Sequence, residues 1–274
     1  MARGPDTAPG AAPDNTAPGA APDNTAPGAA PDNTGPYNAA VWLVDRHMAA
    51  GRGRRTAIRC RGRSTSYADL QAEVWRAQNA LRTLGVVPGD RVAMVVADEE
   101  AFPAWFLGAM RSGVIPVPLS TMLSGPELAP IVADSQARVL VVSAPFAGTA
   151  APIAAAAPEL RHIVVIDGAG EDAAGPDETT TGFGTAVGHR WSGLDDRTEA
   201  PVADTTGASP GFWLYSSGTT GVPKGVMHRH RDLQATADTY AASVLGAGED
   251  DRFFSVAKLF FASGLGYELR GSQR

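Results

Sequence analysis

The chain has 274 residues, of which 44% are hydrophobic and 19% are charged, and its formal net charge is -6 at pH 7. This length and composition suit one large domain or two smaller ones with a sizeable core. The acidic balance argues against a general nucleic-acid-binding protein, because such proteins present a basic face or stripe.

Cysteine content and hydropathy indicate a cytoplasmic setting. Cys60 is the only cysteine, so the chain can form neither an intrachain disulfide nor a multi-cysteine metal site. This favours a reducing compartment. The most apolar stretch, residues 139–157, is interrupted by Pro145 and Pro152. Because a membrane-spanning helix needs about 20 consecutive apolar residues, we expect a cytoplasmic protein with no membrane partner.

The N-terminal segment is repetitive. Residues 7–33 consist of three identical copies of the nine-residue unit Thr-Ala-Pro-Gly-Ala-Ala-Pro-Asp-Asn. This unit lacks the large apolar side chains that offset the chain entropy lost on folding. We therefore predict a disordered, Pro/Ala-rich tail over residues 1–36.

Helix and strand patterns alternate over residues 37–167, which we interpret as a first α/β subdomain. Residues 67–84 predict a helix with Ser66 as its N-cap and Gly85 at its C-terminal stop. Continuous apolar runs predict buried strands at residues 91–97, 114–119, 138–143 and 162–167. Further helices are predicted between these strands, at residues 99–112, about 126–134 and 147–157. Such an alternation indicates an α/β fold with a mostly parallel sheet covered by helices.

The composition changes after residue 167. Residues 168–209 are rich in Gly, Thr, Asp and Pro, so we interpret them as a loop-rich connection with one short helix near residues 191–197. We interpret residues 210–274 as the start of a second, incomplete α/β subdomain. Its predicted elements are a strand at 211–216, a helix at about 231–245 and a strand at 252–257.

A loop rich in hydroxyls and glycines follows the predicted strand at 211–216. Its glycines let backbone N–H groups turn inward to hold anionic oxygens, and its hydroxyls add neutral donors. Lys224 adds a compact, mobile positive charge that can follow a phosphate during a reaction, and it is one of two lysines among 23 basic residues. The candidate phosphate-binding residues are Ser216, Ser217, Gly218, Thr219, Thr220, Gly221 and Lys224.

Two other interpretations of this loop fit less well. Ser/Gly/Thr runs are commonly flexible loops without a ligand, but this one ends in Pro223-Lys224-Gly225 in a lysine-poor chain. The P-loop of nucleoside triphosphatases requires a second glycine where this chain has Pro223. The pattern therefore favours a phosphate-binding loop of another kind.

Residues 215–225 resemble the signature of the adenylate-forming (AMP-binding) superfamily. Flanking segments resemble its benzoate/hydroxybenzoate-CoA ligase branch, namely residues 37–47, 211–217, 226–230 and 257–266. The resemblance implies ATP-dependent activation of an aromatic carboxylate to an acyl adenylate, followed by transfer to coenzyme A. It therefore implies ATP, Mg²⁺ and coenzyme A as cofactors or co-substrates, with Lys224 as the catalytic residue.

The same resemblance implies that Phe261, Ala262, Ser263 and Gly264 line an aryl pocket. The branch usually has Tyr where this chain has Ser263, which implies a larger or more polar acid than unsubstituted benzoate. Phe261 and its neighbour Phe260 equally suit an ordinary hydrophobic core.

His228 and His230 have the spacing of a metal-binding pair. On a strand, both would face the same side. No third ligand is evident from the sequence. We therefore expect the two histidines to support packing, and we predict no metal site.

The family's adenine- and ribose-binding segments, its Mg²⁺-holding acidic residue and its C-terminal lysine lie further along its chains than residue 274. We therefore expect this chain to correspond to about the first half of a ligase, with a less secure second subdomain. Two other interpretations of the protein stay open. In one, the chain is catalytically incompetent and acts at most as a nucleotide-binding or interaction module. In the other, it is an adenylation domain that loads a carrier protein. The particular acid and the oligomeric state are not decided by the sequence.

Overall fold

The computed structural model describes residues 34–167, 183–217, 223–248, 251–254 and 256–268. The repeats of the predicted tail lie outside the described residues, as do residues 168–182 of the predicted connection and 218–222 of the predicted loop. Within the described ranges, no helix is long and apolar enough to span a membrane.

Strands and helices alternate along most of the described chain. The strands are β1 (Thr56–Cys60), β2 (Arg63–Ser66), β3 (Arg91–Val95), β4 (Ile115–Pro118), β5 (Val139–Ser143), β6 (His162–Ile166), β7 (Val187–Arg190), β8 (Pro210–Ser217) and β9 (Pro223–Arg229). The α-helices are α1 (Arg46–Ala49), α2 (Tyr67–Thr83), α3 (Ala101–Arg111), α4 (Gly125–Ser135), α5 (Ala150–Ala156), α6 (His230–Thr236) and α7 (Ala262–Glu268). Segments of π-helix lie at Val41–Asp45 and Ala237–Val244, and 3-10 turns lie at Ala144–Thr149 and Trp191–Gly193.

Five strands form a parallel sheet in the order β4-β3-β5-β6-β7. Successive residues of a strand point to opposite faces, and here both faces are apolar. Val92 and Met94 belong to a cluster under α2 and α3, which we call the α2–α3 cluster. Ala93 and Val95 belong to a second cluster under α4 and α5, the α4–α5 cluster. This arrangement confirms the predicted α/β fold with helices on both faces of a parallel sheet.

Helix α2 forms where the sequence predicts a helix, and it begins with a capping box. The Asp69 N–H donates to Ser66 Oγ at 3.1 Å, and the Ser66 N–H donates to Asp69 Oδ2 at 3.2 Å. These two bonds satisfy backbone donors that the first turn of a helix otherwise leaves unpaired. Gly85 follows the helix with a φ of +72°, which glycine adopts without strain.

Two predicted assignments differ from the structure. Strand β7 lies inside the segment interpreted as a loop-rich connection, where it pairs in parallel with β6. Its sequence, Val-Gly-His-Arg, is short and mostly polar, so no apolar run marks it. The strand predicted at 252–257 is wrong, because its described residues form no strand. Phe254 and Val256 are exposed instead, at 87% and 88%, so the apolar pattern there does not reflect burial in a sheet.

Strands β8 and β9 form an antiparallel hairpin at the edge of the central sheet, where β8 lies beside β4. The side chains of β8 alternate between the two clusters. Phe212 and Leu214 pack with the α2–α3 cluster, whereas Trp213 and Tyr215 pack with the α4–α5 cluster. Beyond the hairpin, Leu233, Ala237, Leu259 and Leu265 are also buried in the α2–α3 cluster. The chain after residue 210 therefore shares its core with the first sheet.

Buried polar side chains of α2 and α3 hold the segment that leads from the sheet to this hairpin. Arg111 is 2% exposed. Its guanidinium donates to the Ala200 carbonyl at 2.5 Å, to Gln78 Oε1 at 2.6 Å and to Asp45 Oδ2 at 3.0 Å. Arg76 likewise donates to the Trp191 carbonyl at 2.5 Å, and its guanidinium lies 3.8 Å from the centre of the Trp191 ring.

Replacing Arg111 should destabilise the whole fold. In Arg111→Met, the Asp45 carboxylate and the Ala200 carbonyl lose their buried donor, and we expect a loss of about 3 kcal/mol in the free energy of unfolding. The matched control is Arg82→Met, because Arg82 is exposed and its nearest ionic partner, Asp196, lies 3.8 Å away. We expect that control to change stability by less than about 0.5 kcal/mol. Urea denaturation measures both, and equal losses would contradict the central role of Arg111.

Candidate active site

The hairpin of β8 and β9 carries the two ends of the predicted phosphate-binding loop. Ser216 pairs directly with Lys224, and Ser217 pairs with Pro223. Gly218, Thr219, Thr220 and Gly221 lie outside the described residues. In the structure a strand, β9, follows the loop. Lys224 therefore lies on β9, directly opposite Ser216 at the end of β8.

Ser216 and Lys224 lie on the same face of the hairpin, because directly opposed residues of an antiparallel pair share a face. Both side chains are exposed. The next pair on that face is Leu214 with Val226, and Leu214 packs on the α2–α3 cluster. The hydroxyl and the ammonium group thus stand next to each other at the rim of this cluster, accessible to an anionic ligand.

Tyr215 anchors the opposite face of the hairpin. Its hydroxyl donates to Asp134 Oδ2 of α4 at 2.5 Å. Burial, together with the Asp134 carboxylate, raises the pKa of Tyr215 and keeps the hydroxyl protonated as a donor. Gly225 pairs with Tyr215, and a Cβ at Gly225 would lie 3.2 Å from the tyrosine ring. The glycine after Lys224 therefore leaves space for the ring that holds the hairpin on α4, a contact that the sequence pattern did not reveal.

The two histidines after the loop have separate surroundings. His228 stacks on Phe212 with ring centroids 4.5 Å apart, and its Nδ1 lies 3.5 Å from Asp232 Oδ2. His230 is fully buried, and its Nδ1 accepts the Ala39 N–H at 3.1 Å. This bond ties the start of α6 to the N-terminal segment of the chain.

The predicted aryl-pocket residues surround the start of α7. Phe261, Ala262 and Ser263 are exposed, with Phe261 at 44%, whereas Gly264 is buried. Phe260 is only 6% exposed and lies in ring contact with Phe261, with centroids 4.5 Å apart. The core interpretation therefore suits Phe260, and Phe261 presents part of its ring to solvent.

Comparison with known proteins identifies the class to which this fold and this hairpin belong. Residues 45–272 match the family model "AMP-binding enzyme", and the chain belongs to this family. The match confirms the resemblance seen in residues 215–225.

Two curated relatives lie within one branch of the family. The chain is 43% identical over 231 residues to "Benzoate--CoA ligase" of Thauera aromatica, covering 84% of this chain and 41% of the relative. It is 40% identical over 230 residues to "4-hydroxybenzoate--CoA/benzoate--CoA ligase" of Rhodopseudomonas palustris, covering 84% of this chain and 40% of the relative.

A solved structure agrees with this placement. The anthranilate CoA ligase AuaEII in complex with anthranoyl-AMP superposes with a TM-score of 0.76 at 34% identity. The match covers 87% of this chain and 43% of that protein. The chain thus spans about two-fifths of the length of the curated relatives it matches.

The packing of Gly264 generates a prediction about the candidate pocket. A Cβ at this position would lie 2.1 Å from the Lys258 carbonyl oxygen, so Gly264→Ala must displace the turn before α7. We expect a loss of about 1–3 kcal/mol in stability and faster amide hydrogen exchange in residues 256–265. The control is Gly148→Ala, where a Cβ meets nothing within 4 Å. A stable Gly264→Ala variant with unchanged exchange would show that this turn tolerates a side chain.

The buried His230 generates a pH-dependent prediction. Burial lowers its pKa from 6.5 to about 4. Between these values the unfolded chain binds a proton that the folded chain excludes, so stability is fully present above pH 6.5 and falls toward pH 4. In His230→Gln we expect this part of the acid destabilisation to vanish, which is about 2 kcal/mol at about pH 5. Urea denaturation of both proteins at several pH values measures it, and an unchanged pH dependence in the variant would refute the assignment to His230.

Proposed function

We propose that this chain forms the phosphate-binding and aryl-binding part of an ATP-dependent, aromatic acid–CoA ligase. The observation that carries the proposal is the pairing of Ser216 with Lys224 at the base of the signature loop, in a member of the AMP-binding enzyme family. The names of the relatives at 43% and 40% identity support an aromatic carboxylate as the substrate.

The first proposed step is adenylation. A carboxylate oxygen of the acid attacks the α-phosphorus of ATP, the bond from that phosphorus to the bridging oxygen breaks, and pyrophosphate leaves. We propose that the β- and γ-phosphates of ATP lie against Ser216 and Lys224, which pair at the base of the loop. The sequence predicts Ser217, Gly218, Thr219, Thr220 and Gly221 as the further phosphate-binding residues. The Lys224 ammonium offsets the negative charge that grows on the departing pyrophosphate. Its flexible stem lets it follow that group as the group moves.

The second proposed step is thioester formation. The thiol of coenzyme A attacks the carbonyl carbon of the acyl adenylate, AMP leaves through its phosphate oxygen, and the thiol proton passes to solvent or buffer. Mg²⁺ is proposed to arrive with ATP, bound to its phosphate oxygens, because Mg²⁺ in such sites is commonly held through substrate phosphates.

The substrate is proposed to be an aryl acid that is larger or more polar than benzoate. Phe261 offers a partly exposed aromatic ring at the start of α7, on which an aryl ring can stack. Ser263 is exposed and places a small hydroxyl where the ligase branch usually has Tyr. A small polar side chain leaves volume for a ring substituent and supplies a hydrogen-bonding group for it.

We further propose that the chain by itself does not complete the reaction, since it spans about two-fifths of the length of its curated relatives. The direct experiment is aryl-acid-dependent exchange of pyrophosphate into ATP by the purified 274-residue chain. We expect no exchange above background. Robust exchange would overturn this part of the proposal.

The role of Lys224 is tested in a chimera in which the 231 matched residues of this chain replace the matching segment of the Thauera aromatica ligase. We expect aryl-acid-dependent exchange, and in Lys224→Ala we expect it to fall by about 100-fold, because a preorganised charge next to the pyrophosphate is lost. The control is Met227→Ala, an exposed residue on the other face of β9. Unchanged exchange in Lys224→Ala would remove the proposed role, and a chimera that exchanges with no aryl acid would refute the proposed substrate class.

A further inference from the structure

An acidic turn follows the central strand β3 at its carboxyl end. The chain leaves β3 toward β4 on one side, and it leaves β5 toward β6 on the other. In open α/β sheets, the crevice between two such strands is where ligands bind. In this structure the Ser143 hydroxyl at the end of β5 accepts the Ala97 N–H at 3.0 Å and donates to Glu99 Oε1 at 2.5 Å. These bonds fix the turn that carries Asp98.

Both carboxylate oxygens of Asp98 bind the segment that precedes α7. Asp98 Oδ1 accepts the Leu259 N–H at 3.0 Å, across 161 positions of sequence. Asp98 Oδ2 lies 2.9 Å from Lys258 Nζ. The thiol of Cys60 also donates to the Asp98 carbonyl oxygen at 3.5 Å, which adds a contact from β1. One side chain at the end of the central strand thus holds two successive residues of the later segment.

Backbone hydrogen bonds connect the residues that Asp98 contacts to the candidate aryl-pocket residues. The Phe261 N–H donates to the Lys258 carbonyl at 3.0 Å, and the Leu265 N–H donates to the Phe261 carbonyl at 2.9 Å. Gly264 fits against that same Lys258 carbonyl. The backbone at Lys258 and Leu259 therefore determines where the ring of Phe261 stands.

The ion pair contributes little to stability, because the Lys258 and Asp98 side chains are 53% and 34% exposed and water screens their charges. The Leu259 bond to the carboxylate contributes more, because hydrogen bonds with a charged acceptor are stronger than neutral ones. Its specific effect is on position, because it fixes one backbone amide relative to the sheet.

We propose that Asp98 is a positioning residue that sets Phe261 and Ser263 for the aryl ring of the substrate, with Lys258 orienting its carboxylate. The assignment of Phe261 and Ser263 to a substrate pocket rests on the proposed function. The contact between Asp98 and the Leu259 backbone is independent of that function, so the contact and the pocket assignment can be tested separately.

The first test is amide hydrogen exchange of the full 274-residue chain. In Asp98→Ala we expect protection of residues 259–265 to fall by about tenfold, with the amides of β3 unchanged. Asp98→Asn keeps an oxygen acceptor for the Leu259 N–H, so it should retain most of the protection. The control is Glu100→Gln, in the same turn, whose carboxylate pairs with Arg63 at 2.9 Å instead. Unchanged protection in Asp98→Ala, or an equal loss of protection in Glu100→Gln, would overturn the proposal that Asp98 holds this segment.

The second test is kinetic and uses the chimera described above. In Asp98→Ala we expect the KM for the aryl acid to rise about tenfold while the KM for ATP stays unchanged, because only the aryl-binding segment loses its anchor. In Asp98→Asn the KM for the aryl acid should stay close to that of the unsubstituted chimera, because the asparagine oxygen still accepts the Leu259 N–H. Equal rises in both KM values would show a structural role only. If the unsubstituted chimera shows no exchange, the proposed function fails, while the exchange-protection result still decides whether Asp98 holds the segment.

Discussion

The buried guanidinium of Arg111 joins three parts of the chain that are far apart in sequence. It contacts Asp45 in the N-terminal segment, Gln78 in α2 and the Ala200 carbonyl in the connection. A buried charge is costly unless its donors are satisfied, and here each contact is made by a different element. The connection is thereby fixed on the helical layer just before it enters β8. The position of the candidate site follows from this, since β8 carries Ser216 at its far end.

The candidate site depends on the first sheet for its geometry. β8 packs its alternate side chains into both hydrophobic clusters, Tyr215 binds α4, and Asp98 at the end of β3 binds the segment before α7. The hairpin and the pocket segment are therefore parts of one core and not a separately packed unit. At the same time, the later residues expose large apolar side chains, among them Met227 at 71% and Val244 at 69%. Single exposed apolar side chains of this kind are common on protein surfaces.

Local signals in the sequence predicted most of the central architecture. The buried strands are continuous apolar runs, and α2 combines an apolar stripe with Ser66 and Gly85 at its ends, so these elements follow from short-range physics. The prediction misses β7, because an edge strand of four mostly polar residues carries no such signal. The strand predicted at 252–257 was wrong for the converse reason. An apolar run forms a strand only where a partner strand supplies its hydrogen bonds, and none of the described strands pairs with it.

The sequence alone predicts the family and the parallel α/β architecture, because contiguous patterns encode both, and the comparisons and the structure confirm them. It predicts the phosphate-binding residues of the loop from the same kind of pattern. It also marked Lys224 as unusual, through the scarcity of lysine in an arginine-rich chain. The folded chain is needed to show that Lys224 stands beside Ser216 and that Gly225 leaves space for Tyr215. The same holds for Asp98, which reaches a backbone amide 161 positions away. Such contacts depend on strand register and on how distant elements pack, and neither is encoded in any local stretch of residues.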